Sequence, residues 1–180
     1  YQLCIRDPST GETKSLTTSA DENNFYAKHQ FFWSPDSRYL VALQVVPGGK
    51  GVIPIIESAP QDRLQPKLHT LPYAKPGDRI RTETPHLFDV RERQEVALDT
   101  YLYATPWSLT NFRWKPDSEE FTFLYNQRGH QAMRIVGIQP ATGGVRAIVE
   151  EQSDTFIDYT NKVFTHFLPT SNEIVWMSER

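Results

Sequence analysis

The chain of 180 residues contains 38% hydrophobic and 23% charged residues and carries a formal net charge of -3 at pH 7. This composition is typical of a globular protein and excludes a disordered chain, while the scattered basic residues exclude nucleic acid as a partner. The longest apolar run, about eight residues at 39–46, is shorter than the roughly 20 that a membrane segment needs, and the single Cys4 excludes an internal disulfide.

Short strands are predicted along the whole chain, because 13 prolines and frequent Thr, Val, Ile and aromatic residues interrupt every helical period. In chain order, the predicted strands are residues 2–6, 30–34, 39–46, 68–72, 86–90, 95–98, 109–114, 120–126, 132–138, 145–149, 163–167 and 173–178. Most of them are bounded by Pro, Gly, Asp, Asn or Ser, which is typical of a series of hairpins. The first residues lack an initiator Met and a signal-peptide pattern, so we expect part of a longer protein.

One motif occurs twice, as FFWSPDSRYLVAL at 31–43 and as FRWKPDSEEFTFL at 112–124, an offset of 81 positions. Its structural residues are Trp33, Pro35, Asp36, Trp114, Pro116 and Asp117. The tryptophans are expected to bury a large face between adjacent sheets, and Pro-Asp-Ser is expected to set and cap a turn. We therefore interpret the motif as structural, with Ser37 and Ser118 as turn residues.

A second motif, a strand followed by a short turn and another strand, occurs at residues 6–16, 88–98 and 138–148. Gly11 and Gly143 share one turn position in two of the copies, where glycine supplies the positive φ that a tight hairpin needs. Arg93 stands at that position in the middle copy, so we expect a turn of another shape there.

The two motifs alternate along the chain, which gives two hairpins, and hence four antiparallel strands, in each repeat. Such repeats are typical of β-propeller blades, so we predict an all-β fold that is a fragment of a β-propeller with about three four-stranded antiparallel blades. The predicted blades are the end of one at 1–20, a second at 29–98 with an insertion near 47–85, a third at 109–151 and the start of a fourth at 162–180.

The sequence contains no catalytic constellation, because it lacks a G-x-S-x-G motif and its five histidines have no metal-binding spacing. We predict no catalytic residue, no metal site and no cofactor in this chain. Cys4 is expected in the core, and the stretch PGGKGV at 47–52 is expected to be a flexible hairpin tip rather than a phosphate loop. Glu119 and Glu120 are expected to form a solvated turn.

The candidates for substrate binding lie in DENNFYAKHQ, the predicted link into the second blade. They are Asp21, Glu22 and Tyr26. Links between blades often emerge near the central axis of a propeller, where ligands bind. The alternative is a solvated link without a function.

Four stretches of the sequence carry a resemblance to a known family. They are YQLCIRDPSTGETKSLT at 1–17, FFWSPDSRYLVAL at 31–43, LHTLPYAKPGDRI with PHLFDV at 68–90, and ATGGVRAIVEEQSDTFIDY with NEIVWMSER at 141–180. Together they resemble the N-terminal β-propeller domain of the dipeptidyl peptidase IV branch of the prolyl oligopeptidase family. In the third stretch, Tyr73, Lys75, Gly77 and Asp78 match the family's Tyr-Pro-Lys-x-Gly-like segment, with Ala74 in place of its proline.

The resemblance implies that the parent protein is a serine exopeptidase that removes dipeptides from peptide N-termini, often after proline. Its triad would lie in a C-terminal α/β-hydrolase domain that is absent from this chain, and the propeller would gate access and hold the substrate's ammonium group. The implied partners are a peptide with a free N-terminus and the hydrolase domain, and a homo-oligomer is a further expectation. The implied location is periplasmic or extracellular.

One departure from the family keeps a second interpretation open. Dipeptidyl peptidase IV carries a Glu-Glu pair before its W-S-P segment, whereas this chain has only Asp21 and Glu22 in that region. The alternative function is therefore a non-enzymatic propeller scaffold, or a pseudoenzyme, that mediates protein–protein interaction. Because about three blades cannot close a ring, we also expect the chain by itself to self-associate.

Overall fold

Antiparallel strands make up nearly all regular structure in the computed structural model, which describes residues 1–161, 163–171 and 173–178. The strands are β1 (Cys4–Arg6), β2 (Thr13–Ser15), β3 (Phe25–Trp33), β4 (Tyr39–Val46), β5 (Val52–Glu57), β6 (Lys67–Pro72), β7 (Thr82–Asp89), β8 (Gln94–Val96), β9 (Pro106–Trp114), β10 (Phe121–Gln127), β11 (Ala132–Gln139), β12 (Gly144–Gln152), β13 (Thr165–Phe167) and β14 (Ile174–Trp176). A 3-10 helix at Tyr101–Tyr103 lies between β8 and β9. The all-β prediction is confirmed.

Two four-stranded antiparallel sheets form the centre of the described chain. The first, called blade 2, has the strand order β3-β4-β7-β8, and the second, called blade 3, has the order β9-β10-β11-β12. The β1–β2 pair, called the first hairpin, precedes them, and the β13–β14 pair, called the last hairpin, follows them. The range predicted for a fourth blade includes positions 162, 172, 179 and 180, which lie outside the described residues.

Blade 2 carries an inserted hairpin between its second and third strands. Among the described residues, strands β5 and β6 pair only with each other, while β4 pairs directly with β7 from Tyr39↔Asp89 to Val46↔Thr82. Strand β5 was not predicted from the sequence, and it contains a proline, which argues against a central strand. Pro54 is tolerated because β5 belongs to a sheet of only two strands.

The glycine-rich stretch 47–52 lies at the base of this hairpin, so the prediction of a flexible hairpin tip is wrong. Gly49 N donates a hydrogen bond to Arg79 O at 2.6 Å, and Tyr73 N donates one to Gly51 O at 2.9 Å. A Cβ atom at position 48 would lie 2.9 Å from Arg81 N. Glycine is required there because two backbone segments approach closely.

The turn at Arg93 has the same shape as the turns at the two glycines, so our expectation of another shape is wrong. Arg93 has a φ of 58°, compared with 73° at Gly11 and 72° at Gly143. Asp89 Oδ1 accepts hydrogen bonds from Arg91 N and Glu92 N, both at 3.0 Å. Side-chain capping of this kind fixes the turn, and it holds the arginine in a left-handed conformation that costs about 1 to 2 kcal/mol.

The main core lies between blade 2 and blade 3. Buried residues of blade 2, such as Tyr39, Val41 and Leu87, pack against Phe121 and Phe123 of blade 3. Smaller clusters join blade 2 to the first hairpin and blade 3 to the last hairpin. The sheets therefore pack face to face along the chain, as the blades of a propeller do.

Two residues that we expected to be buried are exposed. Trp33 is 47% exposed, whereas Leu3 and Leu16, which flank the first hairpin, pack in the cluster of Leu40 and Phe88. Cys4 is also exposed, since successive side chains of a strand alternate and the half-buried neighbour Ile5 points the other way. The expectation that Cys4 lies in the core is wrong.

Candidate functional site

The first strands of successive sheets lie next to one another. Strands β3 and β9 are in contact, and Trp114 Nε1 at the end of β9 donates a hydrogen bond of 2.9 Å to Phe32 O of β3. Asn111 Nδ2 of β9 donates a 3.2 Å hydrogen bond to Thr165 Oγ1 of β13. The first strands of successive sheets therefore lie side by side, as the strands around the central channel of a propeller do.

Both of the complete first strands carry a bulge at equivalent positions. In β3, four residues from Ala27 to Gln30 stand opposite Leu43 alone, because the pairing changes from Tyr26↔Gln44 to Phe31↔Ala42. In β9, one extra residue is accommodated at Asn111, which has a φ of 55°. Bulges re-aim side chains and often lie beside functional sites, and in β3 the bulge leaves Lys28 and His29 exposed.

A tight acidic turn precedes β3. Asp21 N donates to Asn24 O at 2.8 Å, and Asp21 Oδ1 accepts a 2.7 Å hydrogen bond from Asn23 N. Asp21 and Glu22 are both exposed. We use the name β3 edge for residues 21–30, which run from this turn to the end of the bulge.

Tyr26, the third sequence candidate, points away from solvent. Its side chain is buried, and its ring meets His86 and Phe88 edge-on, with centroid distances of 5.9 Å in both cases. Burial, and to a smaller extent the charge of Glu95, raises the pKa of Tyr26 to about 12. The structure therefore leaves Tyr26 in the core, whereas Asp21 and Glu22 are exposed.

The residues of the repeated motif cap turns. Asp36 Oδ1 accepts hydrogen bonds from Ser34 Oγ at 2.6 Å and Arg38 N at 3.1 Å, which hold the pKa of Asp36 below its usual value. Ser118 Oγ accepts a hydrogen bond of 3.1 Å from Asp36 N, so the turns of the two motif copies are in contact. Ser37 and Ser118 have φ values of 59° and 63°.

The chemistry available at the β3 edge is the binding of charged and polar groups. Two exposed carboxylates stand at its start, and an ammonium and an imidazole stand in the bulge. Carboxylates bind ammonium groups by charge-assisted hydrogen bonds. In the part of the chain that the structure describes, no three His, Cys, Asp or Glu side chains are arranged to hold a metal ion, and no helix is long and apolar enough to cross a membrane.

Sequence reasoning missed the bulge at Lys28 and His29 and the burial of Glu120. The expected solvated turn is correct for Glu119, which is exposed, and wrong for Glu120, which is only 4% exposed. The signal for Glu120 was present, because the offset of 81 positions aligns it with Tyr39, a core residue of blade 2. At the bulge in β3, the alternation of buried and exposed residues along the strand is interrupted.

The comparisons with known proteins agree with this geometry. The family model described as the dipeptidyl peptidase IV (DPP IV) N-terminal region matches residues 10–180. The chain belongs to this family. The predicted β-propeller class is thereby confirmed for this DPP IV N-terminal region. No curated protein sequence matches it significantly.

Two solved structures are similar to this DPP IV N-terminal region in fold. Porphyromonas gingivalis dipeptidyl peptidase 4 has a TM-score of 0.63 at 15% identity, covering 99% of this chain and 27% of that chain. A Bacteroides ovatus protein described as a candidate dipeptidyl aminopeptidase IV has a TM-score of 0.57 at 16% identity, covering 93% of this chain and 26% of that chain. This DPP IV N-terminal region thus spans about a quarter of the length of the structures it matches.

Proposed function

We propose that the chain is the non-catalytic propeller portion of a DPP IV-like serine exopeptidase. In this role it gates access to a C-terminal hydrolase domain and positions the N-terminus of the peptide substrate. Membership of the DPP IV N-terminal region family supports the coarse assignment. The observation that supports the positioning of the substrate is the acidic turn at Asp21 and Glu22. This turn lies immediately before β3, the first strand of blade 2.

The physical basis of the proposed selectivity is the recognition of a free ammonium group. Dipeptide release requires that the peptide N-terminus be held at a fixed distance from the scissile bond, and a carboxylate pair does this by charge-assisted hydrogen bonds. Asp21 and Glu22 are adjacent, exposed and of the right charge. They take the role that the Glu-Glu pair has in dipeptidyl peptidase IV.

The test uses the full-length protein and the double variant with Asp21→Asn and Glu22→Gln. With a glycyl-prolyl chromogenic substrate we expect KM to rise about tenfold or more and kcat to change less, since each charge-assisted hydrogen bond contributes roughly 1.5 to 3 kcal/mol. The matched control is Glu119→Gln, an exposed acid in a turn of blade 3. Its kinetics should equal those of the wild type.

Two results would overturn this proposal. Equal cleavage of free and N-acetylated substrates would show that no ammonium group is recognised. Wild-type KM values in the double variant would remove Asp21 and Glu22 from substrate binding, even if the protein proved to be a peptidase sensitive to serine reagents.

The second candidate function is a protein-interaction scaffold, and the inserted hairpin favours it. Seven large apolar side chains of this region are 45–98% exposed: Val52, Ile55, Ile56, Leu64, Leu68, Leu71 and Tyr73. Clusters of exposed apolar residues mark interaction surfaces. Sustained turnover of the glycyl-prolyl substrate by the full-length protein, abolished by a serine reagent, would exclude the non-enzymatic form of this candidate.

A further inference from the structure

The two blades differ along one cross-strand row that occupies the same place in both sheets. In blade 2 the paired positions of this row are Phe32, Val41, Leu87 and Val96. In blade 3 the corresponding positions are Arg113, Thr122, Gly137 and Arg146. The row is therefore entirely apolar in blade 2, whereas in blade 3 it consists of two arginines, a threonine and a glycine.

The packing of the two rows differs accordingly. The row of blade 2 belongs to the core cluster that blade 3 covers. The row of blade 3 faces the last hairpin across a cavity of about 570 Å³, which Phe167, Leu168 and Ile174 line from the opposite side. This volume lies within the range of about 300 to 1,000 Å³ that is usual for small-molecule sites.

Glu120, at the floor of the cavity, is already neutralised by cations. Its Oε1 lies 2.6 Å from Arg146 Nη2, and its Oε2 lies 2.9 Å from Lys115 Nζ. Gly137 provides the space for this carboxylate, because a Cβ atom there would lie 2.7 Å from Glu120 Oε1. Glu120 therefore fits only because position 137 is glycine. The equivalent positions of blade 2 hold Tyr39 and Leu87.

Arg113 contacts an aromatic ring in the cavity, whereas Lys115 and Arg146 are paired with Glu120. Its guanidinium carbon lies 4.7 Å from the centroid of the Phe167 ring, and among the described residues no carboxylate forms an ion pair with it. The other two acids of the cavity are bonded within their own turns, Asp117 to Glu119 N at 3.0 Å and Glu173 to Ser171 Oγ at 2.9 Å. An arginine stacked on an aromatic ring keeps its planar N–H fork for a carboxylate.

We propose that this cavity binds a small organic carboxylate with an apolar body. The carboxylate pairs with the fork of Arg113, while Lys115 and Arg146 remain paired with Glu120. The apolar body packs between Ile148 of β12 and the Phe167–Leu168 wall. None of these residues belongs to the β3 edge, so this site and the proposed ammonium site can fail independently.

The experiment measures binding of benzoate and benzamide to the full-length protein by titration calorimetry. The two probes have the same shape and differ in charge, so we expect benzoate to bind at least tenfold more tightly. Arg113→Gln should weaken benzoate binding at least tenfold, and Arg113→Lys, which keeps the charge and loses the fork, should weaken it by less. The control Arg91→Gln removes an exposed arginine from a turn of blade 2 and should leave binding unchanged.

A carboxylate at this site can come from a free acid or from a peptide C-terminus. N-acetylphenylalanine, compared with benzoate, distinguishes the two sources, since it carries the carboxylate on a peptide-like backbone, and its amide is the uncharged control. Tighter binding than benzoate identifies a peptide C-terminus, and weaker binding identifies a free acid.

Three results would overturn the proposal. Benzoate and benzamide could bind equally, or benzoate binding could survive in a folded Arg113→Gln protein with an unchanged unfolding temperature. A crystal structure of the full-length protein in which its own side chains fill the cavity would also exclude a ligand site there.

Discussion

At the residue scale, the two tryptophans of the repeated motif differ in burial and therefore in their contribution to stability. Trp114 is half-buried, packs against Phe121 with a centroid distance of 5.2 Å and donates a hydrogen bond to Phe32 O. Trp33 is 47% exposed. We predict that Trp114→Ala lowers the free energy of unfolding by about 3 kcal/mol and Trp33→Ala by only about 1 kcal/mol. Urea unfolding followed by circular dichroism measures both, and equal losses would contradict the assignment.

Asp89 gives a residue-scale prediction about pH. It is buried, which opposes its ionisation, but hydrogen bonds from Glu92 N, the Arg38 guanidinium and Arg91 N outweigh this and lower its pKa from 3.8. A lowered folded-state pKa gives stability that is fully present above the unfolded-state pKa of about 3.9 and is lost as pH falls through the folded-state value.

We therefore predict that Asp89→Asn lowers the free energy of unfolding by about 2 kcal/mol at pH 7. Below about pH 4 the difference from the wild type should shrink, because the unfolded-state carboxylate then takes up a proton, whereas the folded state takes it up only as the pH falls through its own lower pKa. The control is Asp62→Asn on the inserted hairpin, whose side chain is 63% exposed. A difference between the Asp89 variant and the wild type that stays constant from pH 7 to pH 3 would refute the linkage.

At the element scale, the sequence predicted what repetition and turn chemistry determine. The offset of 81 positions located both Pro-Asp-Ser turns, and strand β4 at Tyr39–Val46 was predicted with its observed bounds. The bulges were not predictable in the same way, because they depend on how many residues of β3 stand opposite Leu43 after the partner strand has formed. The turn at Arg93 was mispredicted because capping by Asp89 outweighs the local preference of arginine.

The candidate site was predictable to a smaller extent than the fold. The acidic turn at Asp21 and Glu22 could be proposed from its place in a link, but the burial of Tyr26 depends on contacts with His86 and Phe88, 60 or more positions away. The polar row of blade 3 could only be recognised by comparing registers between sheets. Tertiary contacts of this kind leave no local pattern in the sequence.

At the scale of the whole molecule, an exposed apolar hairpin and unpaired strand edges act together. Ile56 and Leu68 face each other across the inserted hairpin and are 68% and 67% exposed. Exposed apolar patches and open edges both favour association with another copy. We predict that light scattering of the 180-residue chain shows a mass that increases with protein concentration.

The double variant with Ile56→Lys and Leu68→Lys tests which feature dominates. Each buried apolar side chain contributes roughly 1.5 to 3 kcal/mol to an interface, so the variant should need at least tenfold more protein to reach the same mass. Gln65→Lys, which adds one charge in the exposed turn of the same hairpin, should associate like the wild type. If the double variant also associates like the wild type, the strand edges and not the hairpin hold the copies together, and a wild type that is monomeric at every concentration removes both.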